Sequence, residues 1–295
     1  MTDRALLVVR AGALTTVQDR GRPGHAHLGV PRSGALDAPA AALANRLVGN
    51  PVGAAVLETT LDGCALRPRR PVTVAVAGAP CRVRVDGRPA AWGAAVDVPA
   101  GSLLEVGTAV RGVRAYVAVS GGVRVEPVLG SRSTDLLSGL GPPPLADGTA
   151  LPLGRPGVPH ARVDVAPQPG PPAELVLRVV PGPRADWFTA GALRTFVTGA
   201  YRVSGASNRV GLRVEGPALR RSRRGELASE GMVLGAVQVP PDGLPVVFLA
   251  DHPTTGGYPV VGVVRAADLP AAAQAVPGTP VRFVTVRRRR GAAAG

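Results

Sequence analysis

Apolar residues in this chain come in short bursts, not long stripes. Valine-rich runs at 6–9, 72–76, 112–119, 175–180, 245–249 and 281–286 recur between Gly and Pro punctuation. Runs of that length, rich in β-branched residues and closed by turn formers, predict strands. Helical periodicity shows in three places. The clearest starts at Asp37, a good N-cap, has Pro39 in its first turn, sets Ala40, Leu43, Ala44 and Leu47 on one face, and stops at Gly49. A second covers 189–197 with Leu193 and Phe196 on one face, and a third runs from Asp268 to just before Pro277-Gly278. Few short helices among many strands predict a mainly β protein of barrels or sandwiches with helices plugging the ends, not alternating β-α units.

A chain of 295 residues exceeds the usual single core, so two domains are expected. The stretch 139–172 is dense in Pro and Gly, which places the boundary there and divides the chain into 1–170 and 171–295. Two short echoes link the halves: Gly29-Val30-Pro31-Arg32-Ser33-Gly34 with Gln238-Val239-Pro240-Pro241-Asp242-Gly243, and Asn45-Arg46-Leu47-Val48-Gly49 with Asn208-Arg209-Val210-Gly211. They suggest one related barrel per half.

All 34 basic residues are arginine. Without lysine the chain carries no covalent biotin, lipoate or pyridoxal phosphate and no P-loop lysine, so a partner has to bring any such cofactor. The net charge of +14 includes four arginines at 287–290, read as a frayed tail. With only 2 Trp, 3 Tyr and 4 Phe, the body lacks the aromatic and basic interleaving of a nucleic-acid binder. Cys64 and Cys81 are too few for a disulfide scaffold and read as buried small hydrophobes. The apolar run at 5–9 is too short for a signal peptide, and no run approaches a membrane span, so a cytoplasmic, soluble protein with no membrane partner is expected. His25 and His27 would share a strand face, but no second pair of ligands follows them and no metal is expected. Neither Gly-x-Ser-x-Gly nor Gly-x-Gly-x-x-Gly occurs, which argues against that type of serine hydrolase and a dinucleotide fold.

Six polar, glycine-bearing clusters are too long and specific for ordinary turns: 18–22 (Gln-Asp-Arg-Gly-Arg), 29–37, 130–135 (Gly-Ser-Arg-Ser-Thr-Asp), 228–231, 238–243 and 251–259 (Asp-His-Pro-Thr-Thr-Gly-Gly-Tyr-Pro). In this order they resemble the family that joins the C subunit of the bacterial ATP-dependent 5-oxoprolinase, the kinase-inhibitor-antagonist proteins and the carboxyltransferase region of urea carboxylase. The resemblance spans Val8 to Val286. It implies two cyclophilin-like β-barrel domains with a few short helices, facing a shared cleft and working beside a second subunit of related fold. Members act on an amide N–C=O group. The expected function is therefore an ATP-dependent lactam hydrolase subunit that opens 5-oxoproline to glutamate with the A and B subunits of 5-oxoprolinase, the ATP being shared with those partners. The alternatives are carboxyl transfer to urea from biotin on a separate carrier, and non-catalytic antagonism of a kinase inhibitor.

An amide yields when its oxygen is trapped, as by phosphorylation, or when charge developing on it is stabilised. Arg20, Arg32, Arg132 and Arg209 lie in glycine-flanked loops where a planar fork could hold a carboxylate or phosphate. Asp19, Asp37, Asp135, Glu230 and Asp251 are the candidates for a general base or an arginine partner, with Arg132 grouped among the catalytic residues. Ser33, Ser133, Gln238, Thr254, Thr255 and Tyr258 supply hydrogen bonds, and Gly256 and Gly257 let backbone amides approach a ligand. Asp37 and Asp135 also suit helix or turn caps, and Asp19 a loop-fixing ion pair. The sequence departs from the family pattern at Asn208, where Asp is expected before Arg209.

Overall fold

The computed structural model describes residues 4–157, 163–223, 225 and 227–286. The arginine run at 287–290 lies outside these described residues. The chain divides into two units: one runs to Pro171 and takes back Ala273–Val276, and the other holds Pro172–Ala272 and the residues from Pro277 on.

The first unit contains β1 (Ala5–Arg10), β2 (Leu14–Gln18), β3 (Val56–Thr60), β4 (Cys64–Pro68), β5 (Val72–Gly78), β6 (Cys81–Val85), β7 (Arg88–Ala90), β8 (Ala95–Val98), β9 (Leu104–Ala109), β10 (Arg114–Val119) and β11 (Ala150–Pro152). They form two antiparallel sheets, ordered β11-β1-β4-β9-β6-β7 and β2-β3-β10-β5-β8. Period-two alternation turns Leu6, Val8, Leu66 and Val106 of the first sheet and Leu57, Val74, Val117 and Val119 of the second into one buried core. Strand β10 is buried along its whole length because its other face is covered as well. There Tyr116 and Ala118, with Ala75 and Ala77 of β5, pack against Ala40, Ala41, Ala44 and Leu47 of α1 (Ala38–Leu47). Alanines on the sheet let the helix approach closely, and the Asp37 carboxylate caps it by accepting from the Ala40 amide at 3.1 Å.

The second unit is a closed barrel of seven strands. Its elements are β12 (Leu175–Pro181), α2 (Ala190–Thr198), β13 (Tyr201–Val203), β14 (Gly211–Glu215), β15 (Glu230–Gly231), β16 (Ala236–Gln238), β17 (Val246–Phe248), β18 (Thr255–Gly256), β19 (Val260–Val264) and β20 (Pro280–Thr285). The order β12-β19-β16-β17-β14-β13-β20 is antiparallel except where β20 pairs in parallel with β12 to close the ring. Helix α2 packs on β20 by stacking Phe196 on Phe283, centroids 4.4 Å apart, while Tyr201 meets Phe283 edge-on. Strands β15 and β18 stand apart as a two-stranded ribbon.

Two expectations need correction. Asp268 does not begin the last helix: Ala266–Asp268 form a 3-10 turn and α3 covers only Leu269–Ala273. The Asp268 carboxylate is engaged by the amide and guanidinium of Arg178 and is unavailable as a cap. His25 and His27 share no strand face, because Ala26–Leu28 is a 3-10 turn with His25 as its N-cap.

Candidate functional site

Three of the six sequence clusters meet in the first unit, and Asp19 joins two of them. Its Oδ1 accepts from the Gly21 amide (2.8 Å), the Ser131 hydroxyl (2.5 Å) and the Ser133 hydroxyl (2.7 Å), while Oδ2 accepts from the Arg132 amide (2.6 Å). Four donors occupy this carboxylate, so its work is to hold the loop that carries Arg132. The third cluster enters where the Ala35 amide donates to the Asp19 carbonyl at 3.0 Å. Arg22, wholly buried, ties the loops from below: its amide bonds the Arg32 carbonyl, and its guanidinium donates to the Val128 and Ser133 carbonyls. Asp135 Oδ2 lies 3.9 Å from Arg22 Nη1, while Oδ1 caps a turn by accepting from the Leu137 and Ser138 amides. Ser33, in left-handed backbone at φ 55°, donates to the Thr134 carbonyl at 2.9 Å.

Above this braced base, half-buried Arg132 donates its Nε to the Val125 carbonyl at 2.8 Å. With Arg124 and Arg155 it lines a cavity of about 330 Å³ whose lining holds no Asp or Glu. The walls are backbone at close quarters: a Cβ on Gly121 would meet the Gly154 carbonyl oxygen at 2.3 Å, and one on Gly154 would meet that of Gly121 at 2.3 Å. Gly53, another wall residue, lies under the side chain of Arg20, whose Nε would sit 2.8 Å from an added Cβ. Buried Asn50 pins the opposite wall, accepting from the Gly121 amide at 2.8 Å and donating to the Val119 carbonyl at 2.9 Å. Arg32 is exposed and joins through its carbonyl alone among the bonds above.

A second cavity of the first unit, about 240 Å³, is lined by Asp37, Leu43, Arg46, Gln168 and Gln274, among others. Asp37 is more than a cap there. Its Oδ2 accepts from Gln274 Nε2 at 2.9 Å, its amide donates to the Tyr116 hydroxyl at 2.7 Å, and that hydroxyl donates to Glu58 at 2.8 Å. Gln274 Oε1 accepts from the Val113 and Arg114 amides, and Arg114 Nε lies 3.7 Å from Glu58. Burial pushes the Asp37 carboxyl above the usual carboxylate range, although the Gln274 and Ala40 donors pull it down. Burial likewise raises the Tyr116 hydroxyl well above its ordinary value.

The remaining candidates lie in the second unit. Arg209 and Asp251 are buried and paired to each other. Asn208 Oδ1 accepts from the Val210 and Gly211 amides at 2.8 and 3.2 Å, so the departure from Asp keeps the oxygen that shapes the turn. Glu230, on β15, faces β18 and is gripped by Arg184, which holds its carboxyl below the usual range. Gln238 donates to the Tyr258 carbonyl at 3.2 Å and would meet a Cβ on Gly256 at 2.6 Å, so that glycine makes room for the amide. The Thr254 carbonyl accepts from the Met232 amide, Thr255 is exposed on β18, and a Cβ on Gly257 would lie 3.3 Å from the Leu227 carbonyl. Exposed Tyr258 has the Arg221 guanidinium 5.7 Å over its ring.

Sequence reasoning missed Glu58, Arg114, Tyr116 and Gln274, which join only through the fold, and Arg124 and Arg155, which sit in Val-Arg-Val and Gly-Arg-Pro settings without a motif. Among the described residues no group of three His, Cys, Asp or Glu could hold a metal, and no helix is long and apolar enough to cross a membrane.

The carboxyltransferase domain, subdomain A and B, matches residues 28–285. The chain is 38% identical over 285 residues to the C subunit of 5-oxoprolinase from Escherichia coli (strain K12), covering 95% of this chain and 90% of that protein. It is 32% identical over 314 residues to urea amidolyase of Lachancea kluyveri, covering 96% of this chain but 17% of that protein. The crystal structure of TTHA0988 superposes with a TM-score of 0.86 at 40% identity, covering 95% of this chain; this chain spans 56% of that one.

Proposed function

The chain belongs to the carboxyltransferase family of joined subdomains A and B, and from that premise we propose that it is the C subunit of an ATP-dependent 5-oxoprolinase complex. In this reading it works with A and B subunits to open the lactam of 5-oxoproline to glutamate, and ATP is shared with those partners. One observation carries the choice: the match to a 5-oxoprolinase C subunit fills 90% of that protein, whereas the urea amidolyase match fills 17%. A chain that matches most of a separate subunit is read as that kind of part. The kinase-inhibitor antagonist has no such observation behind it.

The chemistry of the first unit supports the reading. A lactam is activated by drawing charge onto its oxygen, and fixed guanidinium groups stabilise such charge without reorganising. Arg132, set by Asp19 and its serines, has that fixity; the Arg20 side chain lies against Gly53 of the cavity's lining. Asp37, whose carboxyl burial raises although the Gln274 and Ala40 donors lower it, is the candidate general acid or base of this unit. Roles of Arg209 and Asp251 are structural in this account, because each occupies the other.

The test is glutamate release from 5-oxoproline and ATP by this chain co-expressed with its neighbouring subunits. It runs beside the same mixture without the chain and with Arg132→Ala. Glutamate only with the intact chain is expected. A folded complex that makes none, but carboxylates urea when a carboxybiotin carrier is added, overturns the reading in favour of carboxyl transfer.

A further inference from the structure

We propose that the cavity lined by Arg124, Arg132 and Arg155 is a binding site for a phosphate-class dianion. The inference rests on reading that cavity as functional but not on the identity of the amide. Its first support is charge. Three arginines line one space of about 330 Å³ with no acidic side chain in its lining, and none of the three takes part in an ion pair among the described residues. Gathering like charges around a concave surface costs free energy, which an anion recovers. A monocarboxylate leaves two of the three charges uncompensated. A phosphate group, carrying about −1.5 to −2 near neutral pH, matches them far better.

Geometry is the second support. Arg132 spends Nε on the Val125 carbonyl, which fixes the plane of its fork and leaves the two terminal nitrogens for a bidentate contact. Its backbone is anchored by Asp19, and the facing Gly121 is anchored by Asn50, so the two sides hold their places before any ligand arrives. Gly53, Gly121, Gly122 and Gly157 of the lining carry no side chain to keep an anion away from the wall. The volume exceeds what one phosphate fills, so the phosphate enters either alone or as part of a nucleotide or an acyl phosphate.

Calorimetry on the isolated full chain, titrated with inorganic phosphate at constant ionic strength, tests the proposal. Saturable one-to-one binding is expected, weakened roughly tenfold by Arg124→Gln or by Arg155→Gln and abolished by the pair. In parallel, phosphate should slow phenylglyoxal modification of Arg124, Arg132 and Arg155 in the unmutated chain, a readout that survives if a variant fails to fold. ATP that displaces phosphate identifies a nucleotide as the source; ATP that does not assigns the site to free or acyl phosphate. 5-Oxoproline, a monocarboxylate, should displace neither. The absence of saturable binding, or equal affinity in a folded double variant, overturns the proposal. Phosphate binding by a chain whose complex makes no glutamate removes the lactam reading and leaves this site standing.

Discussion

Arg209 and Asp251, 42 residues apart, meet through two parallel hydrogen bonds, Nε to Oδ2 at 2.9 Å and Nη2 to Oδ1 at 3.0 Å, with both side chains out of water. Each charge is tolerable there because the other is present. Asp251→Ala removes both of these hydrogen bonds from a buried guanidinium and should cost about 3–5 kcal/mol, read from urea unfolding midpoints and slopes. A loss under about 1 kcal/mol would mean that the pair is not mutually dependent.

Asp19 serves four donors at once. Asp19→Asn replaces one accepting oxygen by an N–H₂ that faces donors already in place, so about 1–3 kcal/mol of stability should go. Because the loop then releases Arg132, glutamate formation in the complex should fall roughly ten- to a hundredfold. Unchanged turnover by a destabilised variant would separate Asp19 from the site.

Asp37 gives a pH signature. Burial raises its carboxyl above the usual range, so between the ordinary carboxylate value and the raised one the unfolded chain ionises while the folded chain keeps its proton. This contribution to stability is therefore complete at low pH and is lost as pH rises through that window. Removing the Gln274 donor with Gln274→Ala should move the carboxyl higher still, which a ¹³C carboxyl titration would follow; a downward move would contradict the stated cause.

Asn208→Asp restores the family's residue. Since the side-chain oxygen that accepts from Val210 and Gly211 is kept, stability should change by less than about 0.5 kcal/mol. Glutamate formation should stay level too. A marked gain in turnover would show that the lost charge has a chemical role.

Cys64 is buried and its thiol is pushed up to about 12, while that of Cys81 is pushed up to about 11. Neither supplies thiolate near neutral pH. Both should resist a thiol reagent in the native protein and react at once in denaturant.

Local rules made some of this legible from sequence alone. The N-cap at Asp37, the capped turn at Asp135 and the valine bursts that became β5, β10 and β20 depend on near neighbours. Long-range partnerships were not legible, since nothing adjacent to Gln274 marks it as Asp37's donor. The internal echoes illustrate the limit. Asn45 lies in the last turn of α1 and donates to the Ala54 carbonyl, whereas Asn208 shapes a turn before β14, so alike letters do different work. Of the three arginines of the Arg132 cavity only Arg132 was visible, because it sits in a dense motif while Arg124 and Arg155 look like ordinary surface charge.

The return of Ala273–Val276 to the first unit reaches into biosynthesis. Ribosomes add about 5–20 residues per second, and Gln274 follows Asp37 by 237 positions, so the amide reaches its carboxyl roughly 10–50 s later. Throughout that interval the Asp37 carboxyl and the Val113 and Arg114 amides must find water in place of Gln274. The half of the protein made first is therefore the half that waits, and a ribosome stalled within the second barrel leaves it with an open polar seam exposed to chaperones and proteases.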